Sequence, residues 1–99
     1  MPSVAEKRRR FRDLHAAGCF VIPNPFDVGS ARWLEGLGFP ALATTSSGAA
    51  FALGRPDGGL SRDEMLAHIA ALVEATDVPV NADFMNGFAD DPAGVAENV

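Results

Sequence analysis

Cysteine occurs once, at Cys19, so no intrachain disulfide can form and nothing points to an oxidising compartment. Entering an apolar run, Cys19-Phe20-Val21-Ile22, that thiol reads as a small buried hydrophobe rather than a nucleophile. Long hydrophobic stretches are missing too. None approaches the roughly 18 apolar residues of a membrane span, so no membrane partner is expected. The opening Met-Pro-Ser-Val-Ala-Glu runs into basic residues instead of a signal-type apolar segment, and a cytoplasmic location is the expectation. Basic residues are few, eight Lys and Arg against thirteen Asp and Glu, for a formal net charge of −5. Non-specific nucleic-acid binding is therefore not expected. The one basic cluster, Lys7, Arg8, Arg9, Arg10 and Arg12, reads as the solvated face of a helix. Neither a Gly-x-Gly-x-x-Gly nor a Walker-type loop is present, which argues against nucleotide binding.

What remains is 99 residues, 47% hydrophobic and 21% charged, enough for one small domain and too apolar for disorder. Ser3 to Ala17 reads as a helix with Val4, Phe11 and Leu14 on one side and Gly18 at its end. Cys19 to Ile22 suits a buried strand closed by Pro23-Asn24-Pro25. Asp27 can cap a second helix that turns Val28, Ala31, Leu34 and Leu37 inward and ends at Gly38. Ala41 to Thr45 is a second strand candidate, followed by the small-residue stretch Ser46 to Ala50, read as a polar turn. Ser61 and Glu64 have the spacing of a capping box, ahead of Met65, Leu66, Ile69, Leu72 and Val73 at helical intervals. Val78 to Asp83 reads as a third strand, and Asp91-Pro92 as the start of a last helix.

Strands separated by helices imply parallel pairing with right-handed crossovers. The fold class is α/β, about three βα units behind an N-terminal helix. An open doubly wound sheet and part of a (β/α)8 barrel both fit that pattern. In either, ligands bind at the carboxyl ends of the strands. Three segments fall there: Pro23 to Asp27; Thr44-Thr45-Ser46-Ser47-Gly48 with the loop running on to Gly58; and Asn81 to Gly87. Small hydroxyl residues with reachable backbone amides suit a carboxylate or phosphonate. Asp57, Asn81 and Asp83 offer hard oxygen ligands suited to Mg2+ held partly through water, and Asn81 and Asp83 alternate along one strand face. His15 and His68 lie on helices away from these ends and read as surface or packing residues. Trp33 and the phenylalanines read as core or interface.

Residues Gly18 to Arg32 (GCFVIPNPFDVGSAR) resemble the opening strand and helix of the isocitrate lyase/phosphoenolpyruvate mutase family. The resemblance continues in order through Ala43 to Gly48 (ATTSSG), Leu53 to Gly58 (LGRPDG), Leu60 to Met65 (LSRDEM) and Val80 to Phe88 (VNADFMNGF), and so covers essentially the whole chain. It implies a partial (β/α)8 barrel, residues 1–99 forming the N-terminal portion, truncated before closure. It also implies Mg2+-dependent chemistry that makes or breaks C–C or P–C bonds of small 2-oxo or 2-hydroxy acids, of methylisocitrate, oxaloacetate, dimethylmalate or phosphonopyruvate type. By position, Asp57 and Asp83 match metal-site carboxylates, and Asn81 stands where the family usually has another aspartate. Thr44, Thr45, Ser46 and Ser47, with Asp57, match substrate-binding positions.

The family's acidic residue is replaced by Met85, and its glutamate from the next strand and its mobile loop bearing a catalytic Cys or Lys lie outside these 99 residues. No catalytic residue is therefore assigned, and negligible turnover is expected of this length of chain alone. The partners the resemblance implies are a small carboxylic acid and further copies of the chain in a homo-oligomer. A different class of function, a non-catalytic remnant or an oligomerising interaction module, is the alternative reading.

Overall fold

The structure, a computed structural model, describes residues 1–99. Helix α1 covers Val4–Leu14 and starts on a complete capping box, Ser3 with Glu6. Helix α2 covers Val28–Gly36, capped by Asp27, whose carboxylate accepts from the Ser30 amide at 2.7 Å. Strand β1 is Leu42–Ala43, helix α3 is Ser46–Ala52, helix α4 is Arg62–Ala75, strand β2 is Val80–Asn81, and helix α5 is Pro92–Asn98. The capping box at Ser61 and Glu64 forms as the sequence predicts. No helix is long and apolar enough to cross a membrane.

Strands β1 and β2 pair in parallel, Leu42 opposite Val80 and Ala43 opposite Asn81, with α3 and α4 in the connection between them. Helix α2 packs on α4 and on β1. Ala31, Leu42 and Leu72 are fully buried where these elements meet, with Val28, Leu34, Val78 and Val80 around them. A second cluster, Ala49, Ala50, Leu60 and Met65, holds α3 against α4 and receives Phe84 and Phe88. Glu35 at the end of α2 accepts from the amides of Asp77, at 2.6 Å, and Val78, at 3.1 Å, which fixes the turn that launches β2.

Several expectations differ from the structure, among them Leu37, which is 62% exposed and not turned inward. Cys19 to Ile22 forms no strand. The segment is joined to β1 through Pro23, whose carbonyl accepts from Ala43 N at 2.9 Å, and through the Asn24 amide, which donates to Ala43 O. The two prolines flanking Asn24 have no N–H to give a ladder, so pairing stops there. Cys19 is correspondingly exposed and not buried. Ser46 to Ala50 is not a turn but the body of α3, because Thr45 caps it and its small residues meet no steric obstacle to helix. Trp33 lies 72% exposed, on the side of α2 turned away from the core, which leaves interface as the one of its two readings that stands.

Candidate functional site

The carboxyl ends of β1 and β2 lie side by side, and a ladder of hydrogen bonds carries the pairing past the strands. Thr44 N donates to Asn81 O at 2.9 Å, and Asp83 N donates to Thr44 Oγ1 at 2.8 Å. Thr44 is almost wholly buried, so its hydroxyl acts as a peg that fixes the chain after β2 to the chain after β1. One step further out, the Asp83 carboxylate meets Ser46. Oδ2 accepts from Ser46 N at 3.1 Å and from Ser46 Oγ at 2.8 Å, and Oδ1 accepts from Met85 N at 3.1 Å. These bonds hold the Asp83 carboxyl below the ordinary aspartate range, the Ser46 hydroxyl contributing most and partial desolvation opposing it. Asp83 is an anion in this setting.

Thr45 caps α3, its Oγ1 accepting from Gly48 N at 3.1 Å and lying 3.2 Å from Ser47 Oγ. Gly48 has no room for a side chain: a Cβ there would stand 2.5 Å from Thr45 Cγ2 and 3.1 Å from Phe26 Cβ. That close approach brings the Pro23 to Asp27 segment against the same corner. The amides of Ser46 and Gly48, read from the sequence as open to a bound anion, are thus engaged by Asp83 and Thr45.

Asn81 occupies the end of β2 with its side chain exposed and without a hydrogen bond. Asp57 sits in the turn Asp57-Gly58, exposed and likewise without a side-chain partner. A Cβ at Gly58 would be 3.9 Å from Met85 Cε, so this turn reaches over to the loop after β2. Thr44, Ser46 and Asp83 therefore form one hydrogen-bonded group, and Thr45 with Ser47 forms a second, local one at the start of α3. Asn81 joins the first through backbone, and Asp57 approaches through Gly58 and Met85. No three His, Cys, Asp or Glu side chains gather around a common point.

One contributor is not legible in the sequence. Met85 takes a positive φ of 52° and turns its amide onto Asp83; the neighbouring Asn-Gly, a turn dipeptide, is the available signal. Away from this corner, Lys7, read as part of the solvated basic face, is only 7% exposed, with its ammonium on the carbonyls of Val73 and Thr76 at the end of α4. Its place in the stripe Val4, Lys7, Phe11, Leu14 was the clue.

Comparison with known proteins bears on the fold and the family. The family model described as phosphoenolpyruvate phosphomutase matches residues 11–99. An uncharacterized protein of Mycobacterium tuberculosis (strain H37Rv) is 37% identical over 90 residues, covering 90% of this chain and 35% of that protein. A crystal structure of a candidate lyase/mutase from Burkholderia cenocepacia J2315 superimposes with a TM-score of 0.92 at 55% identity, over 95% of this chain and 34% of that one. The crystal structure of 2,3-dimethylmalate lyase, a PEP mutase/isocitrate lyase superfamily member, superimposes with a TM-score of 0.78 at 29% identity, over 98% of this chain and 35% of the lyase. The chain thus spans about a third of the length of these proteins.

Proposed function

From the premise that this chain belongs to the phosphoenolpyruvate mutase/isocitrate lyase superfamily, we propose that it forms the N-terminal substrate- and metal-binding part of a (β/α)8-barrel lyase or mutase. The bonds acted on are C–C or P–C bonds of small 2-oxo or 2-hydroxy carboxylic acids. The observation that carries the reading is the bonding of the Asp83 carboxylate to Ser46. It unites the chain after β1 with the chain after β2 at the end of the sheet where this architecture does its chemistry.

The donor chemistry fits a hard divalent cation. Asp83 Oδ1 keeps an unused lone pair beside its bond to Met85 N, and the Asp57 carboxylate and the Asn81 amide oxygen are free. Two carboxylates and one neutral oxygen are few for an all-protein cage, which suits Mg2+, since that ion usually retains several waters. Asp83, Asp57 and Asn81 would hold it. When bound, it supplies Lewis-acid stabilisation of the enolate-like charge next to a substrate carboxylate. The chain's own part is to orient. Ser46 fixes the carboxylate of Asp83, and the hydroxyls of Thr45 and Ser47, bonded to each other in the first turn of α3, are the donors offered to the acid group of the substrate.

Calorimetric titration of the chain with MgCl2, then with pyruvate as a simple 2-oxo acid, tests this. Saturable Mg2+ binding that Asp83→Asn removes, with pyruvate binding only in the presence of Mg2+, is the expected result. Mg2+ binding unchanged in Asp83→Asn, with wild-type folding, would overturn the assignment.

The second reading, an interaction module, is favoured by one observation: Val21, Trp33, Leu37, Phe51 and Leu53 are all more than half exposed. Exposed apolar side chains of this size would be covered by association where they adjoin one another. Light scattering combined with size-exclusion chromatography separates the two, because a monomer that binds Mg2+ supports the first reading only.

A further inference from the structure

We propose that the groove between α1 and the start of β2 binds a small monocarboxylate carrying an apolar tail, at a site separate from the Asp83 corner. The groove has a volume of about 300 Å3, the lower end of the range of small-ligand sites. Its walls are Val4 and Phe11 of α1, Val73 of α4, and Pro79 and Val80 at β2; its charged residues are Lys7 and Arg8. None of the residues lining the groove belongs to the group around Asp83, Ser46 and Thr44.

The argument rests on an imbalance of charge. Lys7 is more than nine-tenths buried, yet no carboxylate pairs with it: the ion pairs of the chain are Arg55–Glu64 and Arg62–Asp63. Two of its three ammonium donors reach Val73 O, at 2.8 Å, and Thr76 O, at 2.5 Å, and the third has no partner. The carbonyl end of α4 offsets part of the charge but is not a counter-ion. Arg8 adds a second cation with no partner of its own. The nearest acid in sequence, Glu6, is bound to the amide of Ser3. Buried charge without a counter-ion is costly, and an anion placed here would form charge-assisted bonds with both groups.

The walls decide which anion. Five apolar residues surround the cations, so a fully hydrated anion would leave them wet. A carboxylate head on a short hydrocarbon chain satisfies both halves of the groove. Hexanoate is the probe of that shape.

An NMR titration of 15N-labelled chain with hexanoate, 1-hexanol and acetate tests the proposal. Hexanoate should move the amides of residues 4–11, Val73 and Val80 along a saturable curve. Hexanol, lacking the charge that meets both cations, and acetate, shorter by four methylenes, should each bind at least about tenfold more weakly, since one charge-assisted contact or about two buried CH2 groups already accounts for that factor. Arg8→Ala, on an exposed position that leaves α1 intact, should weaken hexanoate by about the same factor. Lys7→Met should abolish it, but that variant removes a cap from α4, and Arg8→Ala keeps the test decisive if it unfolds. Three outcomes overturn the proposal: hexanol binding as tightly as hexanoate, Arg8→Ala binding like the parent chain, or the same amides responding to dilution of the protein and not to hexanoate, which would assign the groove to a second copy. None of these readouts depends on Mg2+ or on Asp83, so failure here leaves the proposed function standing.

Discussion

Ser46 donates both its amide and its hydroxyl to one oxygen of Asp83, at 3.1 and 2.8 Å, across 37 positions of sequence. That pair ties the end of β2 to the start of α3, and each partner constrains the other. Asp83 cannot swing away without stripping two donors from its carboxylate, and Ser46 cannot fray from α3 without losing its acceptor. The first consequence is electrostatic. Removing the hydroxyl in Ser46→Ala should raise the Asp83 carboxyl toward the usual value of 3.8, because that bond is the leading cause of its depression. A carbon-detected NMR titration of the Asp83 carboxyl reads this directly. The sign for stability follows. A carboxyl depressed in the folded state contributes fully above 3.8, and that contribution is lost as pH falls through the folded value. Since Asp83 is mostly solvent-accessible, the stability change at neutral pH should be small, below about 1 kcal/mol. An Asp83 titration identical in both chains would show that the hydroxyl does not act on it.

His68 gives the same sign from the opposite cause, because burial there favours the neutral form. Its Nε2 is buried without a hydrogen-bond partner, and burial lowers its pKa below 6.5, with the Asp27 carboxylate opposing in part. Above about 6.5 the ring is neutral in both the folded and the unfolded chain, and stability is at its plateau. As pH falls below that, the unfolded chain takes up the proton first, so stability declines until the folded-state value is passed. Urea denaturation at pH 7.5 and at pH 5.5 should show a lower midpoint at the acid pH, and His68→Phe should flatten the difference. An equal slope in both chains would remove His68 as the cause.

Much of this arrangement could be read from residue order, and the exceptions share a cause. The capping signals at Ser61 and Glu64 and at Asp27 are local, and each formed. The parallel pairing of residues around Leu42 and Val80 follows from the alternation of strand and helix. The convergence of Thr44, Ser46 and Asp83 at one strand end was likewise expected from topology. What was not legible depended on partners far along the chain. Cys19 to Ile22 has strand composition, but whether it pairs depends on neighbours, and only Pro23 and Asn24 reach β1. The stretch Ser46 to Ala50 looks like a turn by composition, and becomes helix because Leu60 and Met65 receive Ala49 and Ala50. The engagement of the Ser46 amide by Asp83 could not be seen either, since a segment rich in small hydroxyl residues does not reveal which anion it meets.

A glycine pair offers a test with opposite signs. Gly87 has a φ of +80°, and a Cβ there would lie 2.7 Å from Val95 Cγ1, in the contact that seats α5 under the loop after β2. Its carbonyl also accepts from Asn98 Nδ2 at 2.8 Å. Gly87→Ala should therefore cost about 1–3 kcal/mol through backbone strain and displacement of Val95. Gly36, the last residue of α2, meets nothing within 4 Å. Gly36→Ala should be neutral or stabilising by up to about 1 kcal/mol. Chemical denaturation of both variants decides it, and equal effects would contradict the contact at Val95.

The end of α4 supplies the last prediction. Thr76 closes that helix, its hydroxyl bonded to Leu72 O at 3.0 Å and its carbonyl buried under the ammonium of Lys7. A helix C-terminus leaves carbonyls without intrahelical partners, and a cation there both satisfies them and answers the helix dipole. In Lys7→Met the methylene stem survives while both donors vanish. The carbonyl of Thr76 is then buried with nothing to accept from, at a cost of about 1–3 kcal/mol. Part of that is offset because the ammonium no longer has to be desolvated. The loss should be local before it is global: hydrogen exchange should accelerate at the amides of the final turn of α4 and at Asp77 and Val78, which follow it. The first turn, held by Ser61 and Glu64, should keep its protection. Uniform acceleration along the whole helix would mean that Lys7 acts on the general stability of the domain and not as a cap.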